Sequence, residues 1–453
     1  MIKKLTEKYK KISERDRSIL FNIFNAGLIK GGSMIVVLLT TRYYMAYFGN
    51  ENLLGLWFVL LSFLSLVLNF DLGIGNGLRN RLVESLSEND LAKSRKYISS
   101  AYIIIGLCVL LLCAVSAVAF PFVNWHGVFN LETTVISKDT LLLCVFITFF
   151  GILLQFFLKL ISSVMYALQK SFMNSLLILI SNAMQLIFVA VYKIGSAQSR
   201  LVTLSVAHVI CANLPLIIAT IVVFSSNLKK ARPGFKYFQK KYALDVLTLG
   251  GLFFVVQLVF MLLLGTNDIF ITRFSDTGKV AEYNVYQRLF SLAEKVIFLM
   301  LTPIWSAVTK ALKEKDFIWM RKLYRRLQGL ALLALFFEFA TIPFTSFGIK
   351  FLSDGVYDAN YVYALAFALY SGALIWVSVL CAFANGMGKL KIQIICYSAG
   401  AVLKIITLLI LSRFTDEWII IIFLNIIILI IFCTIQSIWL SQFFKKNIQA
   451  QYA

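Results

Sequence analysis

Twelve apolar stretches of about 20 to 29 residues dominate this chain, at residues 18–41, 51–71, 98–123, 140–166, 172–192, 201–225, 246–272, 280–308, 328–349, 359–385, 392–412 and 418–441. Each is long enough for an α-helix, rising about 1.5 Å per residue, to cross a hydrocarbon core about 30 Å thick. In such a core the backbone amides must be satisfied without water, and apolar runs of this length do so as helices. With 60% hydrophobic and only 14% charged residues among 453, a soluble globular fold is excluded. The expected class is an all-α polytopic membrane protein with 12 transmembrane helices.

The connections set the orientation. With a cytoplasmic N-terminus, 30 of the 43 Lys and Arg residues fall on the cytoplasmic side, 8 on the other side and 5 inside the spans. Both termini are therefore expected in the cytoplasm. The net charge of +21 reads mainly as topology signal and contact with anionic headgroups, not as a nucleic-acid surface. Met1 to Arg17 are mostly charged and polar, so the first span is expected to act as its own insertion signal without a cleavable leader. All seven cysteines lie in apolar spans without a CxxC pair, and the chain has two histidines. No disulfide framework, metal site or cofactor is expected.

A shift of 226 residues lays the chain over itself without a gap. Asp90 meets Asp316, and Arg95 and Lys96 meet Arg321 and Lys322. Ser62, Ser65 and Asn69 of the second span fall on Arg288, Ser291 and Lys295 of the eighth, each trio at i, i+3, i+7 on one helix face. Six spans per half make this a parallel repeat, and the expected architecture is two six-helix lobes facing a central cationic cavity. The lobes are expected at 1–225 and 246–453. Between them, 226–245 is a basic cytoplasmic linker with Pro233, Gly234, Lys236, Tyr237 and Phe238, read as an interfacial segment.

Five cations sit inside the spans: Lys30, Lys159, Arg288, Lys295 and Lys404. A charge at bilayer depth costs about 2.5 to 3.5 kcal/mol on insertion scales, so it tends to face a bundle interior or a watery cavity. Few acids are present to neutralise them, and the set points to an anionic ligand. The plainer alternative is snorkelling to the interface, easiest for Lys159 near a span end. Arg288 carries the planar fork that suits phosphate or carboxylate. The eighth span aligns Asn284, Arg288, Ser291, Lys295, Thr302 and Ser306, placing Arg288 and Lys295 about 10 Å apart on a continuous helix. Gln155 and Lys159 belong to a similar stripe in the fourth span.

The acids within spans are Asp268, Glu294 and Glu338. Glu294 and Glu338 are candidates for proton coupling, against a structural role as buried or neutral acids. The repeat pairs Asp268 with Arg42, and an ion pair between them is expected to help close an outer gate. A charge-swapped double mutant no more active than either single reversal would remove that idea. After the second span, Asp71-Leu-Gly-Ile-Gly-Asn-Gly-Leu-Arg-Asn-Arg81 is a glycine-rich turn opening a basic helix. Arg79 and Arg81 are candidates for admitting a lipid phosphate from the cytoplasmic side, the alternative being a tight turn with snorkelling arginines. No βαβ context supports a nucleotide site there.

The DLGIGNGLRNRL stretch, with TNDIFITRF, VAEYNVYQRLFSL and LTPIWSAVTKAL across the seventh and eighth spans, resembles the Wzx-type O-antigen flippases. These are polysaccharide transporters of the multidrug/oligosaccharidyl-lipid/polysaccharide exporter superfamily. The resemblance implies ion-coupled, alternating-access translocation of an undecaprenyl-pyrophosphate-linked oligosaccharide to the periplasmic leaflet of the bacterial inner membrane. It also implies contact with anionic lipids and with other polysaccharide-assembly membrane proteins. On that reading Lys30, Lys159, Arg288, Lys295 and Lys404 bind headgroup or glycan, and Asn69, Gln155, Asn284 and Ser291 meet sugar hydroxyls. No enzymatic activity is expected. A transporter or channel for a small organic anion is the alternative, while a multidrug cation exporter would want buried carboxylates in place of this cation excess.

Overall fold

In a computed structural model, the structure describes residues 14–48, 53–54, 56–58, 60–61, 73–129, 136–274, 277–352 and 357–452. The chain forms two compact units, Met1–Gly251 and Leu252–Ala453. Sixteen helices carry the argument. The first unit holds α1 (Glu14–Phe48), α2 (Ile74–Ser87), α3 (Leu91–Ala119), α4 (Lys138–Leu158), α5 (Leu160–Ala167), α6 (Ser171–Val191), α7 (Ala197–Ser225) and the start of α8 (Lys240–Leu264). The second unit continues with α9 (Asn267–Phe274), α10 (Thr277–Phe290), α11 (Leu292–Lys313), α12 (Phe317–Thr341), α13 (Thr345–Leu352), α14 (Tyr361–Met387), α15 (Lys391–Leu411) and α16 (Ile420–Tyr452).

Among the described residues, 11 helical segments are long and apolar enough to cross a membrane. Each overlaps one of the expected spans, and most of the second span, 51–71, lies outside the described residues. Large apolar side chains such as Leu110, Leu111, Val118, Phe336 and Phe337 are exposed along these helices. That is how a helix meets lipid instead of water.

Helix starts follow side-chain chemistry. The Asp90 carboxylate accepts from the Lys93 amide at 2.8 Å, and the Asp316 carboxylate accepts from the Trp319 amide at 3.1 Å. Each satisfies one donor orphaned at a helix N-terminus. The residue before each cap, Asn89 or Lys315, has a left-handed backbone with φ of 56° or 58°. These two turns lie 226 residues apart, the same shift that aligns the halves of the sequence.

Between lipid-facing helices, close packing stabilises where the hydrophobic effect cannot. A Cβ on Gly77 of α2 would stand 2.5 Å from the Val246 carbonyl oxygen and 2.9 Å from the Gly250 nitrogen of α8. Only hydrogen fits there. In the second unit a Cβ on Gly386 would stand 2.8 Å from the Trp305 carbonyl oxygen, and the Thr309 hydroxyl donates to the Gly386 carbonyl at 2.7 Å.

Three spans expected to be continuous are interrupted. Lys159 separates α4 from α5, Gly265 and Thr266 separate α8 from α9, and Ser291 separates α10 from α11. The eighth span is therefore not one straight stripe. Ser291 and Ser306 are buried, while Arg288 and Lys295 are exposed on either side of the break. The turn at Ser291 breaks the helical register that placed all six residues on one face.

Candidate functional site

Two apolar clusters pack the first unit. One joins Tyr44, Trp57, Leu141, Cys144, Leu201 and Leu204, and the other joins Leu78, Ile98, Ile161, Val164, Phe224 and Val246. Between their contributions to α4 and α7 lies a cavity of about 370 Å³. It is walled by Thr40 and Tyr44 of α1, Ile152 and Gln155 of α4, Ser181, Asn182 and Gln185 of α6, and His208 of α7, with Phe58 beside them. The α6 residues reach it because Gln185 stands one turn from both Ser181 (i, i+4) and Asn182 (i, i+3), so the three fall within about 100° of arc. That face is held against α1, where Asn182 Nδ2 donates to Ser33 Oγ at 2.8 Å and Ser171 Oγ donates to Asn22 Oδ1 at 3.2 Å.

The His208 ring meets Trp57 edge-on at 5.5 Å, and Tyr44 meets Phe58 edge-on at 6.1 Å. Thr40 and Ser181 turn their hydroxyls back to the Val36 and Leu177 carbonyls. Gln185 is 6% exposed; the Tyr44 hydroxyl lies beside it, and neither its Nε2 nor its Oε1 makes a hydrogen bond of normal geometry among the described residues. A buried carboxamide left so costs about 1 to 3 kcal/mol. Such a group stands ready for a polar ligand or ordered water.

The intramembrane cations have different surroundings. Lys159 is exposed at the α4/α5 break, Lys30 is half-buried on α1, and Arg288 and Lys295 are exposed on α10 and α11. Lys404 is 0% exposed. Its Nζ donates to the Leu263 carbonyl at 2.6 Å and to Asn267 Oδ1 at 2.7 Å, and lies 5.2 Å from the Phe270 ring centre. The same Asn267 oxygen accepts from Asn425 Nδ2 at 3.0 Å, while Asn267 Nδ2 donates to the Tyr283 hydroxyl at 3.1 Å. Lys404 is therefore packed inside the second unit. The carbonyl end of α8, exposed by the Gly265–Thr266 interruption, offers the partial negative charge that an ammonium needs.

Glu338 is also buried, 2% exposed, and its Oε1 accepts from Ser371 Oγ at 2.7 Å. Glu294 is half-buried on α11. Asn284 is half-buried, with Nδ2 donating to the Val280 carbonyl at 2.9 Å. Arg42 is exposed on α1 and Asp268 is exposed at the start of α9. Asn69 lies outside the described residues.

The glycine-rich turn does not present two free arginines. Gly73, at φ 66°, caps α2, and Arg79 is 3% exposed with its guanidinium 4.6 Å from the Tyr166 ring centre. Arg81 pairs with Glu84 at 3.1 Å and with Asp245 at 2.6 Å, and Tyr97 donates to the other Asp245 oxygen at 2.7 Å. Burial alone would lower the pKa of Arg81, and the two carboxylates outweigh it, raising it. The near-perfect fit of Gly77 against Gly250 brings Asp245 of α8 within reach of α2. Sequence spacing shows the arginines and not that carboxylate.

The structure brings Gln155 together with Asn182, Gln185 and His208, which the sequence does not single out. Ser181, Asn182 and Gln185 form a short polar stripe in the fifth span, and His208 is a lone imidazole in the sixth. Those are the signals available, and each reads equally as helix packing.

Two units built of bilayer-length helices define a multi-pass membrane protein. The fold is similar to that of an outward-facing multidrug resistance MATE family transporter of the MOP superfamily, with TM-score 0.73 and 12% identity over 96% of this chain and 97% of that one. It is also similar to a MOP superfamily transporter from Pyrococcus furiosus, with TM-score 0.72 and 13% identity over 95% and 96% of the two chains. The Vibrio cholerae MATE transporter VcmN in its bent form gives TM-score 0.71 and 14% identity over 96% and 99%. At such identities the likeness is one of fold. Among curated proteins no sequence relative is found. Residues 10–307 match the sequence profile of the family described as polysaccharide biosynthesis protein, and the chain belongs to that family.

Proposed function

We propose that this protein translocates an undecaprenyl-pyrophosphate-linked oligosaccharide, such as an O-antigen repeat unit, from the cytoplasmic to the periplasmic leaflet of the bacterial inner membrane. The observation that carries the reading is the pair Arg288 and Lys295, exposed on either side of the Ser291 break, Arg288 at the end of the short α10 and Lys295 on the bilayer-length α11, in a polysaccharide biosynthesis family member. Two exposed cations near an interrupted helix suit a pyrophosphate, which spreads charge over several oxygens. Lys30 and Lys159 add charge for headgroup or acidic sugars, and Asn69, Gln155, Asn284 and Ser291 remain the hydrogen-bonding set. Lys404 is assigned to holding the second unit's interior, because its ammonium is already bonded to Leu263 and Asn267. Coupling to an ion falls to Glu294 and Glu338, gating to Arg42 and Asp268, and headgroup admission to the arm carrying Arg79 and Arg81. The distribution of basic residues supports a cytoplasmic position for both termini.

The test is transfer of a labelled undecaprenyl-pyrophosphate oligosaccharide between leaflets of proteoliposomes, for the wild type and for correctly inserted Arg288→Ala and Lys295→Ala variants. Transfer that falls at least about tenfold in each variant supports the assignment, the size expected for losing one charge-assisted contact. Absent transfer over a panel of lipid-linked glycans, with flux of small organic anions instead, would replace it with an anion transporter.

A further inference from the structure

The cavity of the first unit has the wrong chemistry for the anionic group that the exposed cations suit. Its described walls hold no lysine, arginine, aspartate or glutamate. They offer the carboxamides of Gln155, Asn182 and Gln185, the His208 imidazole, and the rings of Tyr44 and Phe58. A carboxamide both donates and accepts, which matches a hydroxyl that does the same. Aromatic rings supply flat apolar surface for the C–H face of a pyranose. At about 370 Å³ the cavity is near the small end of the range for small-molecule sites, roughly 300 to 1,000 Å³. An acidic sugar would find no cation in the described walls: Arg42, two residues from Thr40 and Tyr44, and Lys159, four residues beyond Gln155, are both exposed and outside the lining, and Lys30 lies seven residues from Val37. The second, independent observation is Gln185, nine-tenths buried beside the Tyr44 hydroxyl, with neither polar atom in a hydrogen bond of normal geometry among the described residues.

We propose that this cavity is a subsite for one uncharged sugar residue, with Gln155, Asn182 and Gln185 reading its hydroxyls and Tyr44 and Phe58 bounding its ring. The idea rests on the glycan reading above and deepens it. Charge recognition of the pyrophosphate and hydroxyl recognition of a sugar become separate tasks of separate residues.

Saturation-transfer NMR on the purified full-length protein in nanodiscs tests it, with methyl β-galactopyranoside, methyl N-acetylglucosaminide and methyl glucuronide as probes. At least one neutral glycoside is expected to receive saturation, and the glucuronide none. Gln185→Leu is expected to weaken binding about tenfold, the effect of one hydrogen bond lost in a desolvated site. Ala212→Phe, which fills the cavity from α7, is expected to abolish it. The melting temperature of each variant checks its folding. Neutral glycosides that receive no saturation, or whose saturation both cavity variants leave intact, would overturn the proposal. Leaflet transfer of the lipid-linked glycan separates the two ideas. Transfer without sugar binding removes the subsite and leaves the flippase, whereas sugar binding without transfer keeps the subsite and removes the flippase.

Discussion

In the first unit, Gln155, Asn182, Gln185 and His208 surround open volume, whereas in the second Lys404, Asn267, Asn425 and Tyr283 are bonded to one another. Both are polar groups inside apolar helices, and their residue types give no hint of the difference. The contrast lies in partners. Asn267 serves a lysine, an asparagine and a tyrosine at once, while Gln185 lies beside the Tyr44 hydroxyl without a hydrogen bond of normal geometry among the described residues. Polar residues within a membrane bundle thus divide into those that hold helices together and those kept open for a ligand. Only three-dimensional neighbours tell them apart.

The same chemical change should therefore act with opposite sign in the two places. Asn267→Leu strands the Lys404 ammonium and removes the partner of Asn425 and Tyr283, and we predict a loss of about 3 kcal/mol, the scale for leaving a buried charge short of a partner. Its melting temperature in detergent should fall sharply, and an unchanged value would refute the structural role of the network. Next in size, Gly77→Val forces a side chain into the Val246 and Gly250 backbone and should cost about 2 kcal/mol by overpacking. Gly77→Ala, measured the same way, should lie between that variant and the wild type. Gln185→Leu removes a buried carboxamide that makes no hydrogen bond of normal geometry among the described residues, so its ligand-free stability should hold or rise by about 1 kcal/mol. A destabilisation as large as that of Asn267→Leu would abolish the contrast drawn here. Smallest, Lys315→Gly should stabilise by about 0.5 kcal/mol through relief of its left-handed backbone, and Asn89→Gly by less, because asparagine tolerates that conformation.

Much of the fold is legible in the sequence because apolar length against bilayer thickness is a strong constraint. Eleven described segments fall on expected spans for that reason. The interruptions at Lys159 and Ser291 are not legible, since neither position is a proline or glycine and a hydropathy window averages across them. The site is legible in part. Gln155 stands out as a polar residue in a long apolar run, and it does line the cavity. Asn182, Gln185 and His208 do not stand out, because an isolated polar residue in a span most often serves helix packing. Lys404 shows the converse failure: its charge is plain in the sequence, but the carbonyl and carboxamide that neutralise it come from residues about 140 positions earlier.

The paired turns at Asn89–Asp90 and Lys315–Asp316 carry a consequence for the ancestry of the molecule. Each joins a left-handed residue to an aspartate cap, and the two recur 226 residues apart. A gene for one six-span protein, duplicated and fused in frame, leaves such a mark. The residue at the bend differs, asparagine in one turn and lysine in the other, while the left-handed backbone and the aspartate cap are common to both. The two turns occupy equivalent positions under the shift that aligns the halves of the sequence.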